Sequence, residues 1–352
     1  MVRVRNLEGV RRTLLTTIVL ALCAAPAPAP AAEKTYRIGP IHLAGYQTAY
    51  DTSLKLPHPG KSAITYMRAR LVDRQGRPIP QEQVMLHHAA FVNRGRFDGD
   101  KSQFYCETGD RERFYGTGEE DQAMVLPPGY GYRVREADRW HASWMVMNHH
   151  RHQRTVFIEY TVRYEKGWRT TTPVTPYWIG VQPCKRDPIF NIPGGGAAGS
   201  SFVKAIDWTP PDDGRIVAVG THVHGGSKVM RISDPACGGR TLVESFPEYG
   251  PADDPIYKVV PQIHEPTPRG TSYPLTATGI PIAGGRTYRV RAVYDDEQPR
   301  ARVMGIMHAY VAPPAANPPP DCAPPPADLQ TLHYPQPYRT EVPRVFIPLA
   351  EL

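Results

Sequence analysis

Beyond residue 31, no stretch of this 352-residue chain stays apolar for the roughly 20 residues that a membrane helix needs. The sequence therefore carries no helical membrane span once the N-terminal segment is set aside. Concentrated positive charge is missing too. The formal charge of +7 falls to +4 without the four arginines and one glutamate of residues 1–31, and the remaining charges are interspersed. The basic run Arg151 to Arg154 is interrupted by His152 and Gln153, so nucleic-acid binding is not supported. Long runs suited to helices are also absent. Thirty-nine prolines and thirty glycines break the chain, and the runs between them are short and rich in Val, Ile, Thr, Tyr and Phe. That composition predicts an all-β protein. With 41% hydrophobic residues it buries enough core for two domains and is not disordered.

Cysteine is scarce, five residues in all. Cys23 lies in a leader: Arg3, Arg5, Arg11 and Arg12 precede the apolar run Leu14 to Cys23, and Ala29-Pro30-Ala31 offers a small-x-small cleavage site. Leu22 occupies the position where a lipobox wants a small residue. The expectation is a signal peptide over 1–31 and a secreted or periplasmic chain. Arg11-Arg12-Thr13-Leu14-Leu15 resembles a twin-arginine signal, which would mean export after folding. The four remaining cysteines, Cys106, Cys184, Cys237 and Cys322, then sit in an oxidising compartment and predict one or two disulfides.

Strand-like runs follow one another from Tyr36 to about Tyr164, separated by turns such as Pro59-Gly60, Asp98-Gly99 and Pro127-Pro128-Gly129. Their spacing suits a sandwich or jelly roll over 32–185. Residues 186–200, containing Gly194-Gly195-Gly196 and Gly199, read as a flexible link. A second β-rich block occupies 201–313, and a proline-rich, extended tail 314–352.

His222 and His224 flank Val223 in a predicted strand, where residues two apart share a face, so both imidazoles can meet one ion. Met304, in a later strand, adds a thioether, a soft ligand suited to Cu(I) and poorly suited to zinc, calcium or magnesium. In the first block, His87-His88 ends Val84-Met85-Leu86. Adjacent histidines in a regular strand face opposite ways, so joint ligation requires a bulge or a strand end. Met145 to His150 ends another strand in histidines, with His152 close behind; one of these three histidines would complete a three-imidazole site.

These residues occur in an order that resembles the copper type II, ascorbate-dependent monooxygenase family, which includes peptidylglycine hydroxylating monooxygenase and dopamine β-monooxygenase. The matching residues are Val84-Met85-Leu86-His87-His88, Cys106-Glu107-Thr108-Gly109, Leu126 to Val134, His222-x-His224 with Lys228-Val229, and Met304 six residues before Tyr310. The resemblance covers about 64 to 312. It implies two tandem jelly-roll domains with a metal-lined cleft between them and two mononuclear copper sites. His87, His88 and His149 would hold the first copper, with His150 the fallback because the interval after Val134 is slightly longer than the family's. His222, His224 and Met304 would hold the second, which binds dioxygen. Ascorbate or a similar reductant would be co-substrate, and an aliphatic C–H of a small-molecule or peptide-like substrate would be hydroxylated. Non-catalytic copper handling on the same fold is the alternative.

The resemblance has gaps. Gly220 stands where the amidating branch has a carboxylate-binding arginine, and Ile306 and His308 stand where it has asparagine and tyrosine. His308 and His264 are further histidines within reach of the second site, without an assigned role. Spacing alone leaves disulfide connectivity open. Cys237 with Cys322 is expected to close the second block, because Cys322 lies just past its end, and Cys106 with Cys184 follows by elimination.

Overall fold

The computed structural model describes residues 32–94, 111–168, 171–183, 188–260, 264–265, 267–318, 321–335 and 337–343. The proposed leader, Cys106 and Cys184 lie outside the described residues. The chain is all-β, as its composition predicts: among the described residues there is no α-helix, only two 3-10 turns, Pro235–Cys237 and Pro255–Lys258. Among the described residues, no helix is long and apolar enough to cross a membrane.

Alternation makes the strands. In Arg139–Asn148 the residues Trp140, Ala142, Trp144 and Val146 are buried while His141, Ser143 and Met145 between them are half-buried, which is the period of a sheet with one face on a core. Four main sheets form in two pairs. In the first pair, one sheet runs in the order Ala32–Leu43, Arg154–Lys166, Ser62–Val72, Tyr130–Val134, Thr172–Pro173, and the other in the order Thr48–Leu56, Arg139–Asn148, Val84–Arg94, Arg111–Gly118. They face each other across an aromatic core, where Phe114 stacks on Tyr132 at 4.8 Å between ring centroids and Phe91 meets Tyr160 at 5.3 Å. That face-to-face arrangement is a β-sandwich.

The second pair holds Thr175–Gly180, Gly305–Ala312, Gly214–Val223, Tyr273–Ile282 and Gln330–Leu332 in one sheet, and Ser201–Trp208, Tyr288–Asp295, Ser227–Asp234 and Arg240–Ser245 in the other. Val219, Ile232, Val290, Met307 and Ala309 are buried between them. Val217, Ala218, Tyr273 and Tyr310 instead join the core of the first pair, so the described residues form one compact unit. Thr175–Gly180, which falls in the first block by sequence, pairs with Gly305–Ala312. Within the glycine-rich stretch, Phe190–Ile192 pairs with Arg300–Val303. A Cβ on Gly194, at φ +70°, would lie 2.2 Å from the Pro299 nitrogen, so glycine here permits close packing rather than slack. Cys237 is bonded to Cys322, as expected from position. The tail contributes Gln330–Leu332 to the sheet edge beside Tyr273.

Candidate metal centre

The pairing of Val84–Arg94 with Arg139–Asn148 slips by one residue between Leu86 and His88. This is the bulge that adjacent histidines need in order to face one site. The His87 and His88 rings consequently meet, Nδ1 to Nδ1, at 3.1 Å. Gly118, paired with His88, leaves no room for a side chain: a Cβ there would stand 2.4 Å from the His87 carbonyl oxygen and 2.9 Å from Cε1 of His222.

His222 and His224 lie at the end of Gly214–Val223 with ring centroids 5.3 Å apart, on the same side as period-two alternation requires. The Tyr294 hydroxyl accepts from the His224 backbone N–H at 3.1 Å and donates to the Met304 carbonyl. One buried side chain thus ties the His224 corner to the Met304 backbone.

The four rings expected in two separate sites are interleaved. His87 lies 4.8 Å from His224 and His88 lies 6.4 Å from His222, between ring centroids. Among the described residues, His87, Glu119, His224 and His264 form a group whose potential ligand atoms all fall within 4.8 Å of one another. Glu119 Oε1 is 3.4 Å from His87 Nε2, 3.3 Å from His264 Nε2 and 3.9 Å from His224 Nδ1. Two of these residues come from the first pair of sheets and two from the second. The partition implied by the resemblance follows chain order; this grouping follows the meeting of the two stacks.

Buried polar atoms are normally paired. Here both oxygens of Glu119, Nε2 of His222 and of His224, and both ring nitrogens of His149 are buried without a hydrogen-bond partner. The outer atoms are better provided for. Glu120 Oε2 lies 2.9 Å from His222 Nδ1 and the Glu265 carbonyl accepts from His264 Nδ1 at 2.8 Å, which leaves each Nε2 free to ligate. Burial, reinforced by the neighbouring rings, holds His87 and His224 well below the usual imidazole range and takes His88 down to about 3. Burial and the nearby Glu265 and Glu120 push Glu119 well above the carboxylate range. Neutral imidazoles are the form that binds metals. The donor set fits an ion: orphaned, convergent and already deprotonated at nitrogen.

Met304 is buried against Trp178 and Ile306 and lines, with His88 and His222, a cavity of about 110 Å³. Among the third-histidine candidates, His149 is buried and lowered to about 4 by burial, then by His264 and His150, whereas His150 and His152 are exposed. His308 stacks on Trp178 at 4.2 Å and is lowered to about 3 by burial and His222, so it is neutral and unsuited to donating a proton as imidazolium. Sequence reasoning left His264 unassigned and missed Glu119 and Glu120. The acidic run Glu119-Glu120-Asp121 in a tight turn, with Asp121 N–H donating to the Gly118 carbonyl at 3.0 Å, was the available signal. Gly220 also acquires a reason. A Cβ there would lie 2.7 Å from Oε1 of Gln122, which accepts from Thr221 N–H at 2.6 Å.

No family profile and no curated protein matches the chain. Among solved structures, it is similar to PNGase F, a glycosylasparaginase from Flavobacterium meningosepticum, at 7% identity and TM-score 0.38, covering 86% of this chain and all of that one. A peptide-N(4)-(N-acetyl-β-D-glucosaminyl) asparagine amidase follows at 10% identity and TM-score 0.36, with 79% and 96% covered. The major capsid protein P2 of bacteriophage PM2 gives 10% and 0.31, with 82% and 100% covered. Likeness this slight carries no statement about activity.

Proposed function

We propose that this chain is an exported copper-dependent monooxygenase on two tandem jelly-roll domains, hydroxylating an aliphatic C–H with dioxygen and an external reductant such as ascorbate. The observation that carries the reading is the set of buried, unpartnered nitrogens beside a cavity that Met304 lines. Imidazoles with a nearby thioether suit copper and disfavour hard ions. Bound copper would supply the one-electron redox chemistry that dioxygen activation needs.

In this reading His87, His224, His264 and Glu119 hold one ion, with His149 adjoining His264. His88, His222 and Met304, which share the cavity wall, hold the other. Glu120 fixes the His222 tautomer and ring orientation through Nδ1. Tyr294 keeps the His224 and Met304 backbones in register. Trp178, with His308 stacked on it, walls the cavity and limits water.

The test is copper content by elemental analysis, with oxygen uptake in the presence of ascorbate and candidate substrates. Two coppers are expected in the parent. Met304→Ile should lose or weaken one of them and His264→Ala the other. If His264→Ala kept both coppers while His149→Ala lost one, the ligands would divide by chain order and not by the meeting of the stacks. Uptake independent of copper, or product without incorporated oxygen, would sink the monooxygenase reading. A second reading, copper binding without turnover, is favoured by how closed the His87 group is: His224 is 1% exposed and His87 7%. Closed sites are characteristic of structural rather than catalytic metals. Tight copper binding with no oxygen consumption over a broad substrate screen would establish it.

A further inference from the structure

His87 turns its two ring nitrogens toward two different sets of donors. Nε2 lies 3.4 Å from Glu119 Oε1, and that oxygen lies 3.3 Å from His264 Nε2. Nδ1 lies 3.1 Å from Nδ1 of His88. Adjacent donors on one ion, at bonds of about 2.0–2.1 Å, stand about 2.9 Å apart in a square-planar set and about 3.4 Å apart in a tetrahedral one. All three separations fall in that range; His224 Nδ1, 3.9 Å from Glu119 Oε1, completes the first set more loosely. A proton between the two Nδ1 atoms makes their contact a hydrogen bond, and an ion in its place can hold them at the same separation.

The rings around His87 are packed to match. It meets His88 at 5.2 Å and 74°, His224 at 4.8 Å and 81° and His264 at 5.0 Å and 89°, between centroids and ring planes, so all three contacts are edge-on. The register slip between Leu86 and His88 is what brings the two adjacent rings together. One turn serves both sets in the same way. Glu119 faces His87 and His264, while the next residue, Glu120, lies 2.9 Å from Nδ1 of His222. His222 in turn lines the cavity with His88 and Met304. Successive Cα atoms are only about 3.8 Å apart, so the two sets that Glu119 and Glu120 serve are themselves neighbours.

Resting on the copper-site reading above, we infer that His87 bridges the two coppers, with Nε2 on the ion shared with Glu119, His224 and His264 and Nδ1 on the ion shared with His88, His222 and Met304. A bridging ring is an imidazolate: it releases its one ring N–H proton to solvent and binds an ion at each nitrogen. Two ions held on one ring stand roughly 6 Å apart, given bonds of about 2.0–2.1 Å. The resemblance to the copper monooxygenases implies instead two mononuclear sites facing each other across a cleft. His87 is where this chain departs from that pattern. Two Cu(II) ions joined through one conjugated ring are magnetically coupled, whereas ions in separate mononuclear sites are not.

The experiment is low-temperature electron paramagnetic resonance of the chain loaded with Cu(II), with copper counted by elemental analysis. The integrated signal should account for less than half of the copper bound. Closeness alone splits such a signal without removing it, so lost intensity reads a bridging ligand. His87→Gln, which keeps much of the side-chain volume but has no second ring nitrogen, should return one spin per copper; His87→Ala serves if that variant does not fold. One spin per copper in a parent that binds two ions, a parent that binds only one, or lost intensity that persists in the His87 variants would overturn the bridge. Spin is read without turnover, so the two readings fail separately. A coupled pair that consumes no oxygen keeps the bridge and removes the monooxygenase. Copper-dependent hydroxylation by a chain with one spin per copper removes the bridge alone.

Discussion

Gly118 shows how much of the centre depends on a missing side chain. It pairs with His88, and the space a methyl would need is taken by the His87 carbonyl and the His222 ring. Gly118→Ala is therefore expected to displace His222 from Glu120 and to lower copper affinity by about 10–100-fold, the usual cost of losing outer support for a ligand. Overpacking adds about 1–3 kcal/mol of destabilisation. A competitive copper titration checks the first effect and a urea melt the second; unchanged affinity would mean that the ring has room elsewhere. His149 and His150 supply a sharper contrast. The resemblance makes His149 the expected ligand and His150 the fallback, and the two adjacent residues differ sharply in burial, His149 buried and His150 exposed. His149→Ala should weaken copper binding while His150→Ala leaves it within error of the parent, measured in the same titration.

At the scale of elements, what was legible followed from local periodicity. His222-Val223-His224 was readable as a same-face pair because strand alternation is a property of one segment. The disulfide partner of Cys237 was readable from its place past the last strand of the block. His87-His88 was readable only as a conditional, since the bulge arises from the register with Arg139–Asn148, which no single segment specifies. Glu119 and His264 come from a turn and a loop and meet the histidines only because the two stacks close on each other, so their role had no periodic signature. Gly220 is the same lesson in reverse. Read as the loss of a substrate-binding arginine, it is in the structure the gap through which Gln122 crosses between the stacks, accepting from Thr221 and donating to the Thr271 carbonyl at 3.0 Å. Gly220→Ala should cost about 1–3 kcal/mol by stranding those groups. In a urea-denaturation cycle with Gln122→Ala, the double variant should lose less than the sum of the singles, because both remove one contact. Additive losses would show that Gln122 does not act through Gly220.

For the whole molecule, a buried histidine cluster made from both stacks links folding to protons and, on the proposed reading, to copper. His88 and His308 take protons only near pH 3 when folded and His149 only near 4, against an ordinary value of about 6.5. His87 and His224 are shifted in the same direction. Between about pH 6.5 and these lower values the unfolded chain binds more protons than the folded one, so stability of the metal-free protein falls as pH falls. Each fully responding histidine contributes about 1.4 kcal/mol per pH unit. Glu119 works in the opposite sense, since its raised folded value makes the folded chain the better proton binder above the carboxylate range, and it offsets about one histidine. Several histidines against one carboxylate decide the sign. On the copper reading, the ion would bind the unprotonated nitrogens of the folded state and would add about 4 kcal/mol when free copper is a thousand-fold above its dissociation constant. Urea denaturation of the chelator-treated protein should therefore show a midpoint that drops steeply from pH 7 to pH 5, with added copper raising it at both ends of the interval, because the folded histidines stay unprotonated throughout it. A metal-free midpoint that stays flat over that interval would mean that the buried histidines are solvated or paired in solution, and the convergent set of orphaned nitrogens on which the copper reading stands would be gone with it.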